Sequence, residues 1–544
     1  DGRTHRMRYV AGAILLNYLT RLLCLLAILV ATTYSYLKYR FNYWVRHCVP
    51  QIKPTILLGN LGGLLRMHKS PADYFLDLYN QPDAVGQPLV GIHIFHKPAI
   101  YVRHPELVKR ILIKDFSKFS NRYSSSDTKR DPIGSLNIFF LKNPAWKEIR
   151  SKLSPFFTSI RMKNMFYLIK EVGDELDAHL LSQPIENMEQ QSFCIEMKEI
   201  CALYTTDVIA TVAYGVKANS FKYPNGDFRR NGRKVFHFST KRAIEMSTVF
   251  FMPHLIPFLG FKVVPPESSN FLRSTINYIM KERELSGNTR NDLIDLLIEF
   301  KNWSKIHRKE HELAFENDVL IAQAALFFTA GFETSSATMS FVLYELAKAP
   351  DLQHRLREEI CVVLEKNDWK ITTQMIDSLE YMQMIISEVL RLYPPLPFLD
   401  RECTVERGSS YSLEPFSNYH IPPGMPIYVA AYGIHMDPEY YPNPTVFDPE
   451  RFSPHNKKLI DPSTYMPFGL GPHGCIGERF ALLQTKIGLV SFLRNHFVAT
   501  CEKTQDHMKL DPKAIIVQAK DGIYLNVVRD PLRPSVMDSY KKRS

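Results

Sequence analysis

FGLGPHGCIG, residues 468–477, sets one of the chain's eight cysteines among four glycines and a proline. Glycine is poor filler for a helix or strand interior, so this density implies a backbone pressed against something. Along the chain, residues 195–215 and 374–392 have helical period, whereas 88–104 alternates as a β-hairpin and 432–472 loses helical period as prolines recur. Downstream, ERFALLQTKIGLVSFL (478–493) opens a stretch of helical period that runs to 497. Cys475 therefore lies just ahead of a helix N-terminus, whose unpaired amides and dipole favour a thiolate. With no second ligand close by, and with Gly469, Gly471, Gly474 and Gly477 letting the chain lie flat against a broad planar group, the arrangement suits haem held axially by one sulfur. A buried structural cysteine in a glycine loop is the plainer alternative.

Three further constellations lie upstream. In MIISEVLRLYPPLP (384–397), Glu388 and Arg391 stand at i, i+3. Such pairs are ordinarily surface ion pairs worth little, but apolar neighbours on several faces imply burial, and a buried pair needs additional hydrogen-bond partners. The stretch VLIAQAALFFTAGFETSSATMSFVLYELA (319–347) is apolar nearly all round and is expected to run through the core as a helix. Within it, Gly331 costs roughly 1 kcal/mol relative to alanine, and Glu333 costs more unless paired. A helix crossing that needs small residues explains Ala330 and Gly331 but not Glu333. Finally, Trp146 and Arg150 in PAWKEIRSKL (144–153) share a helix face at i, i+4, as an exposed aromatic–cation pair also would.

Taken in chain order, these motifs resemble the cytochrome P450 haem-thiolate monooxygenases over roughly residues 45–530. Phe468, Gly471, Cys475 and Gly477 match that family's haem-binding signature, which implies haem b as cofactor and Cys475 as its axial ligand. His473 departs from it: the family usually has an arginine there, facing a haem propionate. Histidine can donate a hydrogen bond, but its charge near neutral pH is not assured, so the resemblance puts haem retention at raised pH in question. By the same resemblance Arg451 in FDPERF (447–452) joins Glu388 and Arg391 in a structural network, Trp146, Arg150 and Arg401 face the propionates, and AGFETS (330–335) is the oxygen-activation motif, with Thr334 positioning oxygen and Glu333 relaying protons.

The implied fold is mainly α with a minor β portion, of P450 type, behind an N-terminal membrane-anchor helix. The implied activity is insertion of one oxygen atom from O2 into an apolar small molecule, a xenobiotic or an endogenous lipid or steroid. Electrons come from NADPH through NADPH–cytochrome P450 reductase, with cytochrome b5 as a further candidate donor. The pattern, LRLYPPLPFLDREC (390–403) included, is most similar to the microsomal insect branch allied to drug- and toxin-metabolising enzymes. Two rivals remain: a haem-thiolate protein that binds ligands without turnover, and a reductase-independent peroxide isomerase. Candidate pocket residues lie in 121–141, near Phe327 and Phe328, and near Leu396 and Phe398.

Composition bounds the rest. The 544 residues are 45% hydrophobic and 23% charged, as in an ordinary globular protein. A formal charge of +11 suits an acidic partner or an anionic membrane; the basic residues are scattered without a recognition motif, so nucleic acid is not expected. Absence of any CxxC argues against structural zinc and points to a reducing compartment. Tyr9 to Leu37 is nearly all apolar, interrupted by Arg21, and Lys38, Arg40 and Arg46 follow at once, which favours a retained anchor over a cleaved signal peptide. Residues 1–47 are thus expected as anchor and flanks, 48–66 as a proline/glycine hinge, and 67–544 as one haem-binding catalytic domain. Arg3, Arg6 and Arg8 balance the basic residues after the span. Only if Met7 is the natural start does the rule place the bulk in the cytosol, on the endoplasmic reticulum membrane.

Overall fold

The apolar run through the core is the helix Asn317–Lys348. It is crossed by the helix Met197–Tyr214, which is buried along almost its whole length. At their crossing a small residue is favoured: a Cβ on Gly331 would lie 2.4 Å from Ile209 Cδ1, and that side-chain end would have to turn aside. The small-residue reading of Gly331 is therefore correct for the backbone, and it leaves Glu333 to be explained separately. The computed structural model describes residues 2–306 and 317–533. The last residues of the expected 67–544 domain, and the side chains of Arg3, Arg6 and Arg8, lie outside the described residues.

Nine strands are described, in three small sheets. The first has the order β1 (Leu89–Ile94), β2 (Lys97–Val102), β7 (Pro426–Val429), β4 (Leu399–Glu402), with β2 and β7 parallel and the other pairs antiparallel. The expected hairpin at 88–104 is its outer pair. The second, antiparallel sheet has the order β3 (Ser192–Glu196), β9 (Tyr524–Arg529), β8 (His496–Ala499). The third is the pair β5 (Tyr411–Ser412) and β6 (His420–Ile421). Buried apolar side chains fall into a large helical cluster and a second one around the first sheet.

Several helix boundaries differ from the periodicity, each for a non-local reason. The expected helix 195–215 begins as β3, because residues 192–196 pair with β9 at the far end of the chain; Glu196 then caps the helix, accepting from Lys198 N at 3.1 Å and Glu199 N at 2.6 Å. The expected helix 374–392 is two, Thr373–Ser378 and Glu380–Leu392. Glu359 makes the break, because its carboxylate takes the amides of Tyr381 at 2.7 Å and Met382 at 3.0 Å. The helix after Cys475 ends at Leu493 rather than 497, its last residues forming β8. Residues 48–66 are pinned to the body, with Gly91 N donating to Pro50 O at 2.7 Å and Asn60 N to His93 O at 2.7 Å. Residues 432–472 are irregular, as expected, apart from the end of a short helix, Ala431–His435, two 3-10 turns and the start of a third at Gly471–His473.

At the N-terminus the helix Gly2–Phe41 contains a span, Ile14–Phe41, whose most apolar 18-residue stretch has mean hydropathy 2.2 and is unburied, long and apolar enough to cross a membrane. Trp44 docks its base: the ring is fully buried over Gly91, and Nε1 donates to Ile92 O at 3.0 Å.

Burial also fixes protonation. It drives His93 down to about 4, His435 to about 3 and His496 to about 4, so each is folded neutral. Because the unfolded chain binds those protons from about pH 6.5 downward, stability is complete above that pH and is lost as pH falls towards the folded values, by up to about 1.4 kcal/mol per pH unit for each histidine. Urea midpoints at pH 7.5 and 5.0 are expected to differ accordingly; equal midpoints would contradict the neutral assignment.

Candidate active site

The loop carrying Cys475 is shaped by its own backbone. Cys475 N donates to Phe468 O at 2.8 Å, Gly474 N to Gly471 O at 2.8 Å and Gly469 N to Met466 O at 3.0 Å. Gly469 and Gly471 adopt φ of +75° and +69°, and a Cβ on Gly471 would sit 2.1 Å from Leu112 O. At Gly471 the glycine is thus demanded by the protein itself. Gly477 is different: its φ is −97° and an added Cβ would meet Phe157 at an ordinary 3.7 Å. Cys475 is solvent-accessible although protein atoms crowd around it. Burial pushes the free thiol up, while the Gly477 amide, Arg150 and Arg122 pull it back down.

Behind this loop stands the network expected around Glu388. Arg391 grips it with two bonds, Nε to Oε2 and Nη2 to Oε1, each 2.7 Å, and both side chains are wholly buried. Asp448 N adds a bond at 3.1 Å to Oε1, and Arg451 Nε lies 3.4 Å from the same oxygen without a well-aligned hydrogen bond. The remaining Arg391 donor, Nη1, reaches His435 O at 2.8 Å. His435, missed by the sequence reading, continues the chain of contacts. Its Nδ1 donates to Arg391 O at 3.2 Å, and its Nε2 accepts from Met466 N at 2.9 Å, fixing the segment that enters the cysteine loop. A lone histidine in a proline-rich stretch carries no pattern that could have marked it.

Trp146, Arg150, Arg401 and His473 converge beside Cys475, together with Arg122, which the sequence reading had placed only among candidate pocket residues. Arg401 is 1% exposed; Nη1 donates to Asp400 O at 2.6 Å, and Nε has no partner. Burial and the neighbouring Arg122 hold it down at about 9. Arg122, also buried, lies 3.6 Å from Asp400, and its Nε too is unpartnered. Arg150 forms no ion pair among the described residues, and burial lowers it. Three guanidiniums facing one carboxylate leave two uncompensated positive charges, the charge of two propionates. Buried guanidinium N–H groups without acceptors require an anion, so these residues fit a haem with its propionates on this side.

His473 does not add to that charge. Its ring packs against Trp146 at a tilt of 39° with centroids 4.0 Å apart, Nε2 donates to Ser120 O at 2.8 Å, and burial with Arg122 and Arg401 nearby drives it down to about 2. Arg122 Nη2, 3.5 Å from His473 O, brings the guanidinium to this spot from another part of the chain. An arginine at 473 would be a fourth cation in the cluster, so it has no unfilled charge to supply there. His473→Arg is expected to retain haem no better than the parent at pH 8.5, measured by Soret absorbance during dilution; clearly slower loss would show that Arg122 does not fill the role.

Opposite lies the open face of the Asn317–Lys348 helix, where Ala330 is exposed and Thr334 half-buried; Thr334 Oγ1 donates to Ala330 O at 2.8 Å. Glu333 turns instead into the crossing helix. Its Oε1 pairs with Lys198 Nζ at 2.8 Å and accepts from Gln518 Nε2 at 2.8 Å. That partner set offsets the burial that made Glu333 anomalous in sequence. Lys198, Gln518, Glu196, Ser340 and Phe341 line a cavity of about 160 Å³. Gln484, from the helix after Cys475, donates to Gly331 O at 2.9 Å and ties the two halves of the site together.

A cysteine loop ahead of a helix, a Glu-Arg-Arg network behind it and an acid–alcohol pair on the facing helix are the parts of a haem-thiolate oxygenase. A family model, cytochrome P450, matches residues 49–527. The chain is 60% identical to "Probable cytochrome P450 6g2" of Drosophila melanogaster, covering 94% of this chain and 99% of that protein. It is 40% identical to "Cytochrome P450 6k1" of Blattella germanica (94% and 98%) and 38% identical to "Probable cytochrome P450 6v1" of Drosophila melanogaster (94% and 99%). The chain belongs to the cytochrome P450 family, within its insect branch, and is an oxidoreductase of the monooxygenase class.

Proposed function

We propose that the protein inserts one oxygen atom of O2 into apolar small molecules, xenobiotics or endogenous lipids or steroids. Haem b would be its cofactor and NADPH–cytochrome P450 reductase its electron source, with cytochrome b5 as an additional donor. It works on the cytosolic face of the endoplasmic reticulum membrane, held by the helix spanning Ile14–Phe41. Phe258, 84% exposed, and Leu259, 50% exposed, support contact of the body with lipid as well.

Cys475 would hold the haem iron, with Arg122, Arg150, Arg401 and Trp146 on the propionate side. When bound, the group supplies oxygen activation, favoured by electron density from the thiolate. The chain's own residues manage protons and water. Glu333 is the observation that carries the reading: a buried carboxylate, next in sequence to the open-face Thr334 hydroxyl and joined to a cavity through its partners Lys198 and Gln518, has no use in a protein that only binds ligands. Protons enter by the cavity, reach Glu333 Oε1, which Lys198 and Gln518 hold in place, and pass to Thr334 Oγ1 when either side chain rotates. Arg122, Lys142 and Asp400 close the opposite side.

Lys198→Met leaves the buried carboxylate without its cation. Product formed per NADPH is expected to fall about tenfold, with peroxide released instead, whereas Lys198→Arg keeps most of it. Unchanged coupling in Lys198→Met would remove Lys198 from the route. The function itself is tested by reconstitution with the reductase in phospholipid and mass-spectrometric screening of lipid and toxin mixtures. Products carrying one added oxygen, dependent on NADPH and O2, are expected. Binding without turnover, or turnover of peroxides without reductase, overturns the reading.

A further inference from the structure

Away from the haem site, Cys194 on β3 places its sulfur 3.5 Å from that of Cys501, which is 307 residues further along the chain. Both are free and partly exposed. The two thiols are unlike. Burial, reinforced by the neighbouring sulfur, raises Cys194 to about 11. Burial would also raise Cys501, but the Thr504 hydroxyl and the Lys503 amide outweigh it and leave that thiol below its ordinary value. A thiol held towards thiolate beside a second, protonated one is the arrangement of an attacking and a resolving cysteine.

We propose that Cys194 and Cys501 form a reversible oxidation site. In the first step the Cys501 thiolate attacks hydrogen peroxide; a sulfur–oxygen bond forms, the O–O bond breaks and hydroxide leaves, giving a sulfenic acid. In the second, the Cys194 sulfur attacks that of Cys501, its proton and the sulfenic hydroxyl leave as water, and a disulfide closes. Overall two thiols are oxidised and one peroxide is reduced to two waters. Thiol–disulfide exchange with a dithiol reductant reverses it.

Closure draws the sulfurs together by about 1.5 Å, to the usual disulfide length. Cys501 lies beyond the end of β8, in a turn closed by Thr504 N donating to Cys501 O at 2.9 Å, so the movement falls on this turn and not on the sheet. The bond would join β3, and with it the start of the helix that carries Lys198, to the C-terminal segment. The two already touch through Met197 N to Ile523 O at 2.8 Å and Ile523 N to Glu196 Oε1 at 2.9 Å.

The test treats the full-length holoenzyme with about one equivalent of hydrogen peroxide, then alkylates, denatures and maps peptides. Free thiols are expected to fall from eight to six, with one linked peptide pair joining Cys194 to Cys501 that dithiothreitol separates. In Cys194→Ser the same dose leaves Cys501 as a sulfenic acid, trapped by dimedone at least about fivefold more than Cys361. Cys194 and Cys501 alkylated singly, to the same extent as Cys361, would overturn the proposal, as would linkage between other cysteines.

Discussion

Replacing Glu388 by glutamine is expected to destabilise the protein by about 3–5 kcal/mol and to abolish stable haem incorporation. The substitution is nearly isosteric, so no cavity is created; what changes is charge. Arg391 is wholly buried and donates twice to Glu388, and also to His435 O, Val446 O and the Met436 sulfur. Without the carboxylate, its charge stands in the core with only neutral acceptors as partners, and Arg451, 11% exposed, loses its counter-ion too. Burial already lifts Glu388 above its ordinary range against the pull of Arg391, the Asp448 amide and Arg451, so the ion pair has no surplus to lose. The damage travels through Arg391 to His435 and from there to Met466, which enters the cysteine loop. Urea denaturation and Soret absorbance measure the two effects. A midpoint within about 0.5 kcal/mol of the parent would show that the network is dispensable.

The second large effect separates two glycines that look equivalent in sequence. Gly471→Ala is expected to lose the haem site outright. Its φ of +69° costs an alanine about 1 kcal/mol, and the Cβ would meet Leu112 O at 2.1 Å, a backbone atom that no rotamer change can move. Relief requires shifting the loop four residues ahead of Cys475. Gly477→Ala, by contrast, meets only ordinary contact with Phe157 and an unstrained φ, so the haem-free protein should fold with unchanged stability. Any haem loss in Gly477→Ala therefore reports the space needed by the ligand, and loss in Gly471→Ala reports the chain. If Gly471→Ala binds haem like the parent, the close approach to Leu112 is not rigid.

What could be read from the sequence were features whose parts lie close along the chain. The glycine–cysteine loop spans ten residues, Glu388 and Arg391 are three apart, Glu333 and Thr334 are adjacent, and the apolar run 319–347 declares a core helix. Local spacing converts directly into shared faces and loop geometry, so these parts and the mainly helical architecture were legible. The partners that make them work were not. Arg122 reaches His473 across 351 residues and Gln518 reaches Glu333 across 185, and a single charged or amide side chain has no local pattern to announce it. Nor does spacing reveal charge balance. His473 leaves its own loop one cation short of the resemblance, and only the packing of Arg122 beside Arg401 and Asp400 brings a guanidinium to that cluster from a distant loop. Sequence alone determined the cysteine loop, the acid–alcohol pair and the class of fold, because short-range periodicity and spacing set them. Tertiary structure decided which cations, amides and carbonyls neutralise and orient them, because desolvation acts on whatever the fold brings near, whatever its distance along the chain.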